Sequence, residues 1–169
     1  FTHVSDDSDL SESGMSDLDV GFKVHLFAGS GLCPSTGVLL ALTLPVGADA
    51  LSGDTYLLSP TLAFDWELSS AWALGINVGV TAAIDNRDEQ TDTFRWAASL
   101  GRTLAPFVNT LRVYVEGFGE HGENVNLVAM DGGVTWLIAP SIQLDLSARA
   151  GFTNDAPDVG GALGLSFKI

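Results

Sequence analysis

The sequence predicts an all-β protein, an antiparallel up-and-down transmembrane β-barrel. Three observations support this prediction. Apolar residues alternate with polar or small ones in nine successive segments, which is the period of a strand that faces two different environments. The segments are roughly ten to fourteen residues long, which is enough to cross a bilayer at a tilt. Polar, mostly acidic connections alternate with tight ones, as external loops and periplasmic turns do in such barrels.

The chain opens with an acidic, serine-rich stretch over residues 1–16, which we interpret as an external loop, with a solvated tail as the alternative. Residues 17–169 then form the strands of one barrel domain. In the first strand Leu18, Val20 and Phe22 share one face, while Asp19 and Lys23 share the other. The predicted strands lie at 17–28, 36–46, 56–68, 72–81, 93–104, 109–120, 125–138, 142–152 and 158–169.

The later strands repeat this two-sided pattern. In the third strand Leu62, Phe64 and Trp66 oppose Asp65 and Glu67. The fourth sets Trp72, Leu74, Ile76, Val78 and Val80 against Gly75, Asn77, Gly79 and Thr81. A soluble sandwich or lipocalin could also show this period of two, but it would have no reason to place long and tight connections at opposite ends. We therefore expect the apolar face to contact lipid.

The connections define the two ends of the barrel. The long set lies at 47–55, 85–92, 121–124 and 153–157, the tight set lies at 69–70, 105–107 and 140–141, and the connection at 29–35 fits the tight set only loosely. With the final strand ending on the periplasmic side, nine strands place residues 1–16 outside the cell. We therefore expect an odd number of strands upstream of this sequence.

Composition narrows the functional classes. The formal charge of -14, with only seven Lys and Arg, argues against a nucleic-acid partner, because a phosphate backbone requires a basic surface. The single cysteine, Cys33, excludes an internal disulfide and most cysteine metal sites. We expect neither a metal nor a cofactor.

The rare charges indicate a polar lumen. Of the seven basic residues, five fall on the polar face (Lys23, Arg95, Arg112, Arg149 and Lys168), Arg87 lies in a predicted loop and only Arg102 projects outward. Six acids on the same face make the predicted interior nearly neutral. Either these charges form an ion-pair network that fills a narrow barrel, or they line a water-filled path and tune its solute preference. The candidate lumen residues are Lys23, His25, Asp65, Glu67, Arg95, Arg112, Glu116, Asp131, Asp145 and Arg149, with Arg112, Glu116, Asp145 and Arg149 expected at a constriction.

The outward aromatic residues indicate partners in the membrane. They lie near strand ends, where aromatic girdles meet headgroups, so we expect contact with outer-membrane lipid and lipopolysaccharide. The alternating final strand is the pattern that the barrel-assembly machinery binds. The outward set is Trp66, Trp72, Phe94, Trp96, Trp136 and Phe167.

Catalytic motifs do not emerge. The sequence has no nucleophile-elbow glycine motif, metal-ligand run or phosphate loop. His25 faces the predicted lumen, and His3 and His121 lie in predicted loops, with no serine and acid at a defined spacing. We predict no enzymatic activity, and a lipid-modifying enzyme would require His25 or His121 beside a serine hydroxyl.

Three stretches together carry a family resemblance: residues 14–27 (GMSDLDVGFKVHLF), 39–47 (LLALTLPVG) and 144–167 (LDLSARAGFTNDAPDVGGALGLSF). In this order they resemble the outer-membrane transporter family of the MetA pathway of phenol degradation, and the sharpest part is residues 154–158. The resemblance covers nearly the whole chain. It implies a barrel of about twelve strands, of which this chain holds the C-terminal nine, and uptake of hydrophobic or aromatic compounds. The chain departs from the family at Ile169, where a closing aromatic residue is usual.

The leading hypothesis is therefore a passive channel or transporter for small solutes in the bacterial outer membrane. The alternative is a non-conducting structural or interaction barrel that is filled by its own side chains and binds a partner through its loops. Lumen width distinguishes the two.

Overall fold

The computed structural model describes residues 2–5, 11–48, 52–84, 92–104 and 110–167. Nine long strands form one antiparallel sheet in which each strand pairs with its neighbours in sequence. The predicted all-β fold is confirmed, and every predicted strand is present with its ends shifted by two residues or fewer. The strands are β3 (Leu18–Phe27), β4 (Ser35–Leu44), β5 (Leu57–Glu67), β6 (Trp72–Ala83), β7 (Thr93–Thr103), β8 (Leu111–Gly122), β9 (Asn126–Ala139), β10 (Ile142–Gly151) and β11 (Val159–Phe167).

The opening stretch contains more structure than the expected loop. Two short strands, β1 (Thr2–Ser5) and β2 (Ser11–Gly14), pair with each other and form a separate two-stranded sheet. The sequence did not predict this hairpin because its residues are mostly polar on both faces, so no alternation of apolar side chains marks it.

The register places the polar side chains on one face, which we call the polar face. Residues that oppose each other across neighbouring antiparallel strands share a face. Glu116 on β8 opposes Asp131 on β9, and Asp131 opposes Arg149 on β10. The same row continues through Ser99 and Gly75 to Asp65 on β5.

The opposite face, which we call the apolar face, is uncovered. Among the described residues the buried hydrophobic side chains are three alanines, while Phe22 is 60% exposed and Leu163 is 74% exposed. A soluble sandwich buries its large aliphatic side chains between two layers. A single sheet with its aliphatic side chains on an open face is instead what a bilayer would cover.

The connections differ in length at the two ends of the sheet. At the end expected to be periplasmic, the Ser69 hydroxyl accepts hydrogen bonds from the N–H groups of Ala71 and Trp72 in the tight turn between β5 and β6. The connection between β3 and β4 turns at Gly31, whose φ of 59° favours glycine. At the other end, β8 extends to Gly122, so its connection to β9 shrinks to residues 123–125. The expected alternation of long and tight connections is therefore wrong at this hairpin.

The sheet has two edges, β3 and β11, that pair with no further strand among the described residues. Neighbouring strands run in opposite directions and the sheet has nine strands, so its first and last strands run in the same direction. A closed antiparallel barrel that contains this sheet therefore needs an odd number of additional strands.

Candidate functional site

The predicted site residues lie on the polar face, and several of them surround a cavity of about 430 Å³. Strands β7 to β10 position these side chains, because each contributes every second residue to this face. The predicted residues that line the cavity are Arg95, Glu116, Asp131 and Arg149.

Two carboxylates and one guanidinium follow each other across three strands in this cavity. Glu116 and Asp131 are direct cross-strand partners, and like charges in this position repel. The Oδ1 atom of Asp131 is buried and has no hydrogen-bond partner among the described residues. Arg149 is the cross-strand partner of Asp131 on the other side. The row therefore contains a buried carboxylate oxygen without a hydrogen bond, which is energetically costly.

The two arginines that line the cavity contact an aromatic ring and a hydroxyl group. The guanidinium of Arg149 lies over the ring of Phe118, with its Cζ 5.0 Å from the ring centroid. Arg95 donates from Nη1 to the Thr81 hydroxyl at 3.1 Å, and that hydroxyl is 2.9 Å from the Ser59 hydroxyl. No ion pair is recorded among the ten candidate side chains, all of which lie in the described part of the chain.

The other expected constriction residues lie further towards the tight-turn end. Arg112 lines a second cavity of about 290 Å³ together with Asp65, Glu116 and Gln143. Asp145 accepts a hydrogen bond of 2.8 Å from Gln143 Nε2. The structure thus divides the four residues of the expected constriction into two levels joined by Glu116.

The remaining candidates are spread along the sheet. Asp65 and Glu67 line a small polar cavity of about 180 Å³ beside the connection between β3 and β4. Lys23 and His25 are exposed on the edge strand β3, opposite Leu39 and Gly37. These four side chains do not line the 430 Å³ cavity.

Sequence reasoning did not include Glu120 among the residues of the polar face. It opposes Arg95 across β7 and β8 and lines the 430 Å³ cavity. The sequence placed it at the end of its strand, whereas β8 continues to Gly122. Lys168, counted among the inward bases, lies outside the described residues. The described polar face carries Lys23, Arg95, Arg112 and Arg149 against Asp19, Asp65, Glu67, Glu116, Glu120, Asp131 and Asp145. Among the described residues this face therefore carries seven acids and four bases.

His121, one of the two histidines considered for a lipid-modifying enzyme, forms no hydrogen bond with a serine within the described ranges. Its Nε2 accepts a hydrogen bond of 3.2 Å from Trp96 Nε1, and its Nδ1 lies 2.9 Å from Asn126 Oδ1. Because an indole N–H only donates, the proton of the neutral ring resides on Nδ1 and is donated to Asn126. The described residues include no cluster of His, Cys, Asp or Glu suited to a metal ion.

The apolar face carries one base. Arg102 opposes Trp72 across β6 and β7, and its Cζ lies 5.2 Å from the centroid of the Trp72 ring. Both residues lie at the tight-turn end of the sheet, as expected for a membrane interface. No helix long and apolar enough to cross a membrane occurs in the described ranges.

Comparisons with known proteins agree with this geometry. A family model described as "Putative MetA-pathway of phenol degradation" matches residues 1–169. The crystal structure of an outer membrane channel from Pseudomonas putida F1 superposes with a TM-score of 0.73 at 16% identity, covering 95% of this chain and 69% of that chain. At this identity the likeness establishes the fold. No curated protein matches the chain.

Proposed function

Because the chain belongs to the family of the MetA pathway of phenol degradation, we propose that it forms the wall of a passive channel in the bacterial outer membrane. The solutes that we propose are small hydrophobic or aromatic compounds. The observation that carries the proposal is the division of the sheet into two faces. Large aliphatic side chains are exposed on one face, and charged side chains line an open cavity of about 430 Å³ on the other.

The aromatic side chains of the polar face support the proposed solute class. Phe118 lines the 430 Å³ cavity, and Tyr114 lines the neighbouring cavity of about 290 Å³. Ala97, the cross-strand partner of Phe118 on β7, has a small side chain and lines the same cavity. An aromatic ring could stack on these side chains while its polar groups meet the flanking charges.

The matching solved structure is an outer membrane channel, which supports the same location and class for this chain. The alternative of a self-filled barrel is less well supported. A barrel filled by its own charges requires a continuous network of charged pairs, whereas the charged side chains of this wall line open cavities of about 430 and 290 Å³.

The experiment that tests the proposal is conductance of the full-length protein in planar bilayers. The electrostatic energy between a unit charge and a permeating ion about 6 Å away in water is about 0.7 kcal/mol, which changes the local concentration of that ion about threefold. Cations and anions change in opposite senses, so we expect Arg112→Ala and Glu116→Ala to shift the ratio of cation to anion permeability by about tenfold, in opposite directions for the two variants. Arg102→Ala is the matched control, because it removes the same charge from the apolar face. Failure of the correctly folded full-length protein to conduct would reject the channel.

A further inference from the structure

The connection between β10 and β11, residues 152–158, does not extend away from the sheet. It contains residues 154–158, the part of the chain with the sharpest family resemblance, and neither the strands nor the charged cavity explains that motif. At this end β9 extends beyond the last residue of β10, so the backbone of β9 loses its neighbour there. We call residues 152–158 the strap.

The strap supplies the hydrogen-bond acceptors that β10 no longer provides. The N–H of Val128 donates to Thr153 Oγ1 at 2.9 Å, and the N–H of Asn126 donates to Asp155 Oδ2 at 2.7 Å. The N–H of Phe152 donates to the Val128 carbonyl at 2.8 Å. Since unpaired backbone N–H groups are costly, these bonds fix the strap against β9.

A glycine on the polar face receives the folded strap. Gly151 lies in the same row as Ala129 and Phe118. A Cβ on Gly151 would point onto this face and would lie 2.7 Å from the Ala156 Cβ and 2.5 Å from the Pro157 carbonyl oxygen. Ala156 is only 6% exposed. The strap therefore lies over the polar face at Gly151, where the missing side chain leaves room for it.

We infer that the strap is a fixed constriction that narrows the outer mouth of the lumen along β9 and β10 and limits the size of the solute. The inference rests on the proposed channel function for its consequence. Arg149, two residues before Gly151 on the same face, lines the 430 Å³ cavity, so the strap lies on the external side of that cavity. A solute that enters along this wall passes the strap before it reaches the charged row.

The first test measures the position of the strap without any transport. In a Cys33→Ser background, Ala156→Cys and Asn154→Cys each place one thiol in the same connection, buried in the first and exposed in the second. We expect a water-soluble maleimide to modify position 156 about tenfold more slowly than position 154 in the folded full-length protein, because modification requires local opening. Equal rates would overturn the inference.

The second test releases the strap. Thr153→Ala combined with Asp155→Ala removes both side-chain acceptors, and Asn154→Ala is the matched control because its side chain forms no recorded contact. We expect the double substitution to raise the rate of maleimide modification of Ala156→Cys to the rate measured for Asn154→Cys. It should also admit larger sugars in a liposome-swelling assay. Heat-modifiable migration on a gel verifies folding of each variant.

The outcomes separate the two proposals. A released strap with an unchanged size limit would overturn the constriction. Absence of swelling for every sugar and every folded variant would reject the channel, whereas the maleimide rates would still decide whether the strap lies across the polar face.

Discussion

The assignment of the two faces can be tested at two neighbouring residues of β7. Ala98 lies at the middle of Thr93–Thr103 on the apolar face, opposite Ile76 and Gly117, and it is exposed. Ala97 lies on the polar face opposite Asn77 and Phe118 and lines the 430 Å³ cavity. Arginine at position 98 would project into hydrocarbon, whereas arginine at position 97 would project into the lumen near Glu116 and Glu120.

The magnitude follows from the depth of the residue. The strand from residue 93 to residue 103 spans about 33 Å at roughly 3.3 Å per step, and a tilt of about 40° reduces its height to about 25 Å. This height matches the apolar band of an outer-membrane barrel, so Ala98 lies near the midplane. Arginine there should reduce the free energy of unfolding by about 2–4 kcal/mol. At Ala97 we expect a change within about 1 kcal/mol.

The assay is reversible urea unfolding of the full-length protein in lipid vesicles, followed by tryptophan fluorescence. Ala98→Arg and Ala97→Arg are compared with Ala98→Leu, which keeps the outward side apolar and should leave stability nearly unchanged. Equal losses at positions 97 and 98, or a larger loss at 97, would show that hydrocarbon does not cover the face that carries Ala98.

Three further predictions concern pH, packing and charge. Hydrogen bonds from the Ser52 side chain and from the backbone N–H groups of Gly53 and Gly47 lower the pKa of Asp17 below its usual 3.8. The stabilisation by ionised Asp17 is fully present above the usual pKa and is lost as the pH falls through the lowered pKa. Protection of the Gly47 and Gly53 amides from hydrogen exchange should therefore decrease below about pH 3.8. Asp17→Asn should abolish this decrease. A Cβ on Gly133 would overlap the Leu146 carbonyl oxygen and the Tyr114 ring, whereas one on Gly160 meets no closer atom than the Arg149 Cβ at 4.0 Å. Gly133→Ala should therefore lower the free energy of unfolding by about 1–3 kcal/mol and Gly160→Ala by much less; equal losses in urea titrations would contradict this. Because the described polar face is acidic, reversal potentials in a salt gradient should indicate cation preference, which Asp131→Asn should weaken and Arg149→Gln should strengthen; an anion-selective wild-type channel would refute this prediction.

The nine strands could be predicted because each one meets two different environments. The alternation in β3, with Val20 and Phe22 on one side and Asp19 and Lys23 on the other, fixes the faces wherever the pairing occurs. A charged side chain in contact with lipid is energetically costly, so the alternation persists along nearly every strand. The two turns at 68–71 and 140–141 were predictable for the same reason, since alternation stops and resumes abruptly.

The details of the site could not be predicted in the same way. Alternation assigned Glu116, Asp131 and Arg149 to one face, but it could not show that they are consecutive partners in one row, because that depends on the stagger between strands. The period of two places Phe118 on the polar face between Glu116 and Glu120, but its apolar side chain does not identify it as part of a polar site. The strap is a tertiary feature, since Thr153 and Asp155 bond to β9 only because β10 ends before β9 does.

The two free edges constrain the rest of the barrel. Both β3 and β11 present unpaired backbone groups within the described chain, and such edges cannot persist in hydrocarbon because no water is available to satisfy them. Direct pairing of β3 with β11 would be parallel, since both run in the same direction, whereas the described barrel wall is antiparallel throughout. An odd number of further strands removes this conflict and an even number does not. The twelve strands implied by the family resemblance require three more, so geometry and family agree on parity for unrelated reasons.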